Sequence, residues 1–526
     1  MLLTRHAILA PSTTKPISAA YSPSRTMIAF LIVAAISLYG AGFYYKALGC
    51  DGGWYSYPAF ELAEHGTLGG NLRTPAEQLQ HGGSGATFAF LTQNSIRVLY
   101  TTICFELFSP NIYAVKLLSL IELVALGFML YLALSAIVPS VAWRLCVLGL
   151  FLTDQTVSLT ASADARPDIA VAAVALALFC LVDRRRGVGS TAVAVLTCFL
   201  LPLVHVTAVV PWLGVMAYLV TRDYLARSRR RTALLFPAAM TIAFLIAFVF
   251  GGRLFAHVAP AAQGAQSVGV TAADKVRSLI YAGPSVMFAK EVLRWRSYFF
   301  TTNVASLGVL FGGVALAIPR IRRDSVAGAS HLGLLAAVVV MFASLLLLDP
   351  HPTDFHAIPA TPFFYLLFAA GLPSLGQSTS RMRLIAIGLA LLAGLTSLVL
   401  AARITRSGWI SGYNIVSIGR LLERMQNDSP SRAVIIGPTE IYPFLDVRRG
   451  FLIVDNTRDG GQFADIRAVL PSVQFVVLNA DYEKYRWLEK FLAAYPDYSL
   501  QQVASLRGSN EAITVYWLLH PAARHS

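Results

Sequence analysis

The chain has 526 residues, of which 56% are hydrophobic and only 13% charged, with a formal net charge of +14. A soluble globular chain carries about 25% charged residues, so this composition excludes that class and indicates a polytopic α-helical membrane protein. The basic excess does not indicate nucleic acid, because of where it falls along the chain.

Residues 1–25 are polar, rich in Ser, Thr and Pro, and lack both acidic residues and a signal-peptide cleavage pattern. Thr26 to Tyr45 then carry no charge, and about twenty such residues suffice to cross a bilayer. About eleven spans are predicted, near 26–46, 112–136, 142–160, 167–183, 188–203, 205–221, 232–252, 298–318, 329–348, 357–375 and 384–402. With the N-terminus in the cytoplasm, the cytoplasmic segments are 1–25, 137–144, 183–187, 221–231, 319–324 and 376–383. They hold seventeen Lys and Arg against three acids. That bias is the one that orients membrane proteins, so the charge is topological and a nucleic-acid partner is not expected. Between Arg186 and Arg222 there is no Lys, Arg, Asp or Glu. Both flanking basic runs read as cytoplasmic, so the chain crosses twice there, in a tight hairpin broken near Pro202. The five Cys are scattered without metal spacing or a disulfide framework, and no 20–50-residue repeat is present.

Three segments lie outside the membrane: a first outer loop 47–111, a second outer loop 253–297, and a tail from 403 to 526. The tail reads as a small α/β domain, with strands at 433–437, 475–479, 498–505 and 512–518 and helical spacing over 483–495. An odd number of spans places it on the outer face.

Four constellations could carry chemistry. Asp51 follows the first span directly, and Asp51 to Gly66 predicts a helix on the membrane surface, with Trp54, Tyr55 and Tyr57 suited to the interface. Asp51 either caps this helix or is a carboxylate available to a substrate. Asp154, Asp164 and Asp168 crowd one outer rim; Pro167 and Asp168 suit a helix start, while acids near a membrane face mark a site. Asp51 and Asp168 converge if the first and fourth spans pack together. Asp349 to His356 forms a Pro-rich outer turn with His351 and His356, without a metal signature. The second outer loop carries Lys275, Arg277 and Arg294, outward cations suited to a lipid phosphate or to headgroups.

Taken together these positions resemble the GT-C superfamily of lipid-linked-sugar glycosyltransferases, of the protein O-mannosyltransferase and aminoarabinose transferase type, with bacterial relatives acting on lipopolysaccharide cores. Asp51 ends the first span and is followed by Glu61-Leu62-Ala63-Glu64-His65-Gly66. Asn111 to Leu120 resembles the start of the family's second span, with Lys116 where Arg is usual. Arg166-Pro167-Asp168-Ile169-Ala170 resembles the phrase that opens the fourth span. Phe355-His356-Ala357-Ile358-Pro359-Ala360-Thr361-Pro362 resembles the start of a late span, with His356 near where Tyr is common. Gly52 stands where a second acid is usual.

The resemblance implies a GT-C-like transmembrane domain over 26–402 in a bacterial inner membrane. It implies transfer of a hexose or pentose from a polyprenyl-phosphate donor to an extracytoplasmic glycan, lipid or protein, with inversion. Asp51 would be the general base and Asp168 would orient the acceptor. Substrate-binding candidates are Arg166, Asp164, Glu61, Lys275, Arg277, Arg294, His351 and His356. No cofactor is required, and a divalent metal is left open. The alternatives are a transporter or flippase of lipid-linked saccharides, which would favour inverted repeats and broken helices at the midplane, or a polysaccharide polymerase or ligase.

Overall fold

The structure is a computed structural model. It describes residues 23–65, 88–184, 188–225, 232–255, 289, 292–323, 325–348, 354–372, 380–429, 432–446, 449–454, 466–508 and 511–520. Among them, four helical stretches are long and apolar enough to cross a membrane: Arg25–Tyr45, Ile112–Ile137, Gly328–Leu348 and one beginning at Ile387. Counting each of two bent pairs as one span raises this to six. Shorter apolar helices occupy other places where spans are expected, at Val188–Val204, Leu235–Val249 and Thr361–Gly371. Helices satisfy their own backbone in lipid, which is why the apolar runs fold this way.

In chain order the helices are α1 (Arg25–Tyr45), α2 (Cys50–His65), α3 (Phe88–Phe108), α4 (Ile112–Ile137), α5 (Val141–Leu152) and α6 (Gln155–Leu159), then α7 (Asp168–Asp183), α8 (Val188–Val204), α9 (Val209–Leu225) and α10 (Thr232–Phe255). There follow α11 (Val304–Arg323), α12 (Ser325–Leu348), α13 (Thr361–Gly371), α14 (Ser380–Ser411) and α15 (Ile415–Asn427). Caps mark the starts. Ser24 Oγ accepts the Met27 N–H at 3.1 Å, and Asn111 Oδ1 accepts those of Tyr113 and Ala114 at 2.9 and 3.0 Å. Pro202 lies inside α8, and the chain turns further on, at His205–Ala208. There the His205 ring accepts the Thr207 N–H at 3.3 Å and so caps the next turn.

Two apolar helix pairs are broken side by side, and each break satisfies the other. The helix pair Val141–Leu152 and Gln155–Asp164 bends by 65°, and Val292–Phe300 and Val304–Ile318 bend by 103°. At the first break Asp154 Oδ1 caps α6 through the Val157 N–H at 3.1 Å. Its Oδ2 accepts the hydroxyls of Ser306 at 2.7 Å and Tyr298 at 3.1 Å from the second. In return Asn303, at the second break, accepts the Gln155 N–H and donates to Thr156 Oγ1, both at 2.7 Å. Asp154 is buried. Its carboxylate, read from sequence as one of three acids on an outer rim, serves the freed groups of two broken helices.

After α15 comes a five-stranded sheet of β1 (Ala433–Gly437), β2 (Gly450–Val454), β3 (Phe475–Asn479), β4 (Ser499–Arg507) and β5 (Ala512–Leu519), in the order β2-β1-β3-β5-β4. β2, β1 and β3 run parallel, and β5 and β4 complete the sheet antiparallel. The near-continuous apolar runs of β1 and β3 fit strands covered on both faces. One face receives Ile418, Leu422 and Met425 of α15, and the other Trp487 and Phe491. The helical stretch expected over 483–495 is two helices, Ala480–Lys484 and Trp487–Ala494. Arg486 between them has φ +57.

The sheet does not stand apart from the membrane helices. Ala59 and Phe60 of α2, Phe105 of α3 and Val115 of α4 share one buried cluster with Ile418, Ile441, Tyr442 and Val515. The rings of Phe60 and Tyr442 are 4.2 Å apart at their centroids.

Candidate functional site

The candidate site lies where α1 ends and where α2 and α7 begin. Lys46 terminates α1, and Ala47–Gly49 leads into α2, whose second residue is Asp51. Two glycines let α2 lie against the turn before α7. A Cβ at Gly49 would stand 2.2 Å from Asp164 Oδ1, and one at Gly52 would stand 1.9 Å from the Asp164 backbone oxygen. A side chain at Gly52 would thus meet main chain. Gly52→Ala is expected to lift α2 from Asp164, because the opposing atom is main chain and cannot rotate away. Overpacking costs about 1–3 kcal/mol, and a 1 Å misplacement can cost about 10²-fold in rate. Wild-type turnover and melting temperature in this variant would contradict the contact.

The turn itself is held by a buried guanidinium. Ala165 has φ +50, a left-handed conformation that costs about 1–2 kcal/mol for a residue with a Cβ. Its carbonyl accepts Arg97 Nη2 at 2.7 Å. Arg97 Nε also donates to Glu122 Oε1 at 3.0 Å, and the same oxygen accepts the Tyr100 hydroxyl at 2.6 Å. Arg97 and Glu122 are both buried. The pair therefore ties α3 and α4 to the turn that carries the acids.

Past Ala165 the side chains converge. Arg166 Nε donates to Asp168 Oδ2 at 3.0 Å, and Arg166 Nη2 lies 3.2 Å from His356 Nε2. The other Asp168 oxygen accepts the Thr207 hydroxyl at 3.2 Å. Tyr55 of α2 faces the group, with its ring centroid 5.7 Å from the Arg166 guanidinium carbon and 5.3 Å, edge-on, from the His205 ring. Four elements meet here: α2, the start of α7, the turn after α8, and the turn Asp354–Ala357. The Arg166 guanidinium, with the His356 imidazole beside it, offers charge-assisted donors to an anion.

The end of α1 is clamped. Lys116 Nζ donates to the carbonyls of Phe43, Lys46 and Ser162 at 2.7, 2.8 and 3.0 Å, a cation at a helix C-terminus. Lys46 Nζ lies 2.8 Å from Glu511 Oε1.

Of the residues expected from sequence, Asp168, Arg166 and His356 are brought together, and Asp164 lies against the start of α2. Asp51 and Glu61 are carried by α2, and their side chains lie outside the described residues. Arg294 is buried on Val292–Phe300, the segment that runs to the break at Asn303. Lys275, Arg277 and His351 lie outside the described residues. Sequence reasoning did not bring Arg97, His205 or Thr207 to this site, and it read Tyr55 only as suited to the interface. Glu122 was the available signal: an acid alone in the apolar run of α4 calls for a buried partner. Among the described residues no three His, Cys, Asp or Glu side chains come together as a metal site.

The fold is similar to two crystal structures of ArnT, an aminoarabinose transferase, from Cupriavidus metallidurans. The one bound to undecaprenyl phosphate matches with a TM-score of 0.55 at 13% identity, over 93% of this chain and 98% of that one. The apo state matches with a TM-score of 0.53 at 13% identity, over 93% and 97%. The oligosaccharyltransferase of Archaeoglobus fulgidus, in complex with Zn and sulfate, matches with a TM-score of 0.52 at 13% identity, over 92% of this chain and 73% of that one. No protein-family model and no curated protein matches the sequence. The chain thus has the polytopic fold seen in GT-C membrane glycosyltransferases.

Proposed function

We propose that the chain is a membrane glycosyltransferase that moves a hexose or pentose from a polyprenyl-phosphate donor to an extracytoplasmic glycan, lipid or protein. What carries this reading is the packing of the first turn of α2, which bears Asp51, onto Asp164 and so beside the Arg166–Asp168–His356 group, in a fold shared with such transferases. The proposal includes the eleven-span topology, a cytoplasmic N-terminus, an outer C-terminal domain over 403–526 and a bacterial inner membrane.

The step is a single displacement. The acceptor oxygen or nitrogen forms a bond to the anomeric carbon, and the bond from that carbon to the carrier phosphate oxygen breaks. The electron pair leaves with the phosphate, and Asp51 takes the acceptor proton, which requires a carboxylate within hydrogen-bond reach. Arg166 and His356 stabilise the charge that develops on the phosphate. Asp168 holds Arg166 in place and faces the acceptor. Displacement from the far side inverts the anomeric centre, so product analysis by NMR tests the scheme. Inverted product is expected; retained configuration overturns it. The scheme assigns no residue to a metal. Turnover in EDTA is expected to stay within about twofold, and a loss of about tenfold or more, restored by a divalent cation, would add one.

A further inference from the structure

Glu511 is far from α1 in sequence yet holds its end. It stands on the turn between β4 and β5, where its carbonyl accepts the Gly508 N–H at 2.7 Å. Its Oε1 accepts Lys46 Nζ at 2.8 Å, and its Oε2 accepts the Ala47 N–H at 3.1 Å. The ion pair alone would mean little, since both side chains are about a quarter exposed, at 26% and 27%, and solvent screens such pairs. The main-chain bond is different. The Lys46 carbonyl, taken by Lys116, and the Ala47 N–H, taken by Glu511, belong to one peptide unit. That unit is planar and stiff, so gripping both its ends fixes the direction in which the chain leaves α1. Asp51 lies four residues beyond Ala47.

We propose that Glu511 is a positioning residue for Asp51: through this carboxylate the C-terminal sheet orients the peptide that launches α2, and so sets where the base is presented. The catalytic half of this inference rests on Asp51 being the base; the mechanical half does not.

The test uses the full-length protein in detergent, with Glu511→Ala and Glu511→Gln. Neither variant unseats the sheet, which keeps its apolar contact through Phe60 and Tyr442. Hydrogen exchange over residues 42–53 reads the mechanical half. Glu511→Ala is expected to speed exchange there by about tenfold or more, as local opening becomes easier. The donor kinetics read the catalytic half. Glu511→Ala is expected to lower kcat by about 10–100-fold, with the donor KM within about twofold, as misplacement of a catalytic group does. Glu511→Gln keeps an acceptor for Ala47 and is expected to fall between, while the remote Glu489→Gln leaves both readouts unchanged. Unaltered exchange in Glu511→Ala overturns the proposal whether or not a donor is in hand. Faster exchange with unaltered kcat overturns the positioning role. Should wild type turn over no donor, the exchange arm still decides the coupling, and it is the transferase reading that fails.

Discussion

Asp51→Asn is expected to lower transfer by about 10²–10⁴-fold, the range that a positioned general base contributes, while the protein still folds and still binds the lipid donor. The amide has nearly the shape of the carboxylate but cannot accept the acceptor proton. The first turn of α2 stays seated because its contacts with Asp164 are made by Gly49 and Gly52. The result is read as kcat against KM, with melting temperature as the control. A fall in kcat with KM and melting temperature near wild type is the signature of a group that acts in the transition state. Normal turnover removes Asp51 from the mechanism.

Asp168→Ala is expected to harm both stability and activity, for a different reason. Asp168 is fully buried and is the carboxylate partner of buried Arg166. Removing one member of such a pair leaves an uncompensated charge and costs about 3–5 kcal/mol. The Arg166 guanidinium then has no fixed orientation toward His356, and the Thr207 hydroxyl loses its acceptor. A lower melting temperature and a deep loss of turnover are expected together. Glu77→Ala, in the segment read from sequence as the first outer loop, is expected to change neither strongly. Equal effects of the two variants would remove the Arg166–Asp168–His356 group from the proposed site.

Composition and charge pattern alone make the membrane helices legible. Long apolar runs announce them, and α1 and α4 run over Arg25–Tyr45 and Ile112–Ile137 where spans are predicted. The helix that carries Asp51 is legible from the aromatics that follow it, and Arg166 and Asp168 are both candidates in the sequence, though their pairing is a structural finding. The bends are not. Asp154 looks like one more outer acid in the amino-acid sequence, and only the partnership of Ser306 and Tyr298 reveals a lock between two broken helices. Arg97 escapes notice because its reason is Glu122 on another helix and a left-handed Ala165 on a third segment. Glu511 cannot be read at all, because its partner is 465 residues away. Local patterns carry elements, while contacts that close long loops depend on tertiary packing that no window of sequence contains.

The most direct test of the central claim is a transfer assay on purified protein in detergent. Radiolabelled polyprenyl-phosphate sugars are offered as a panel to wild type and to Asp51→Asn, with crude envelope material as acceptor, and loss of sugar from the lipid is followed. Release from at least one donor by wild type, and none detectable by the variant, is the predicted result. Silence toward every donor by wild type, with lipid binding intact, would contradict the transferase assignment and leave transport of lipid-linked saccharides as the better reading.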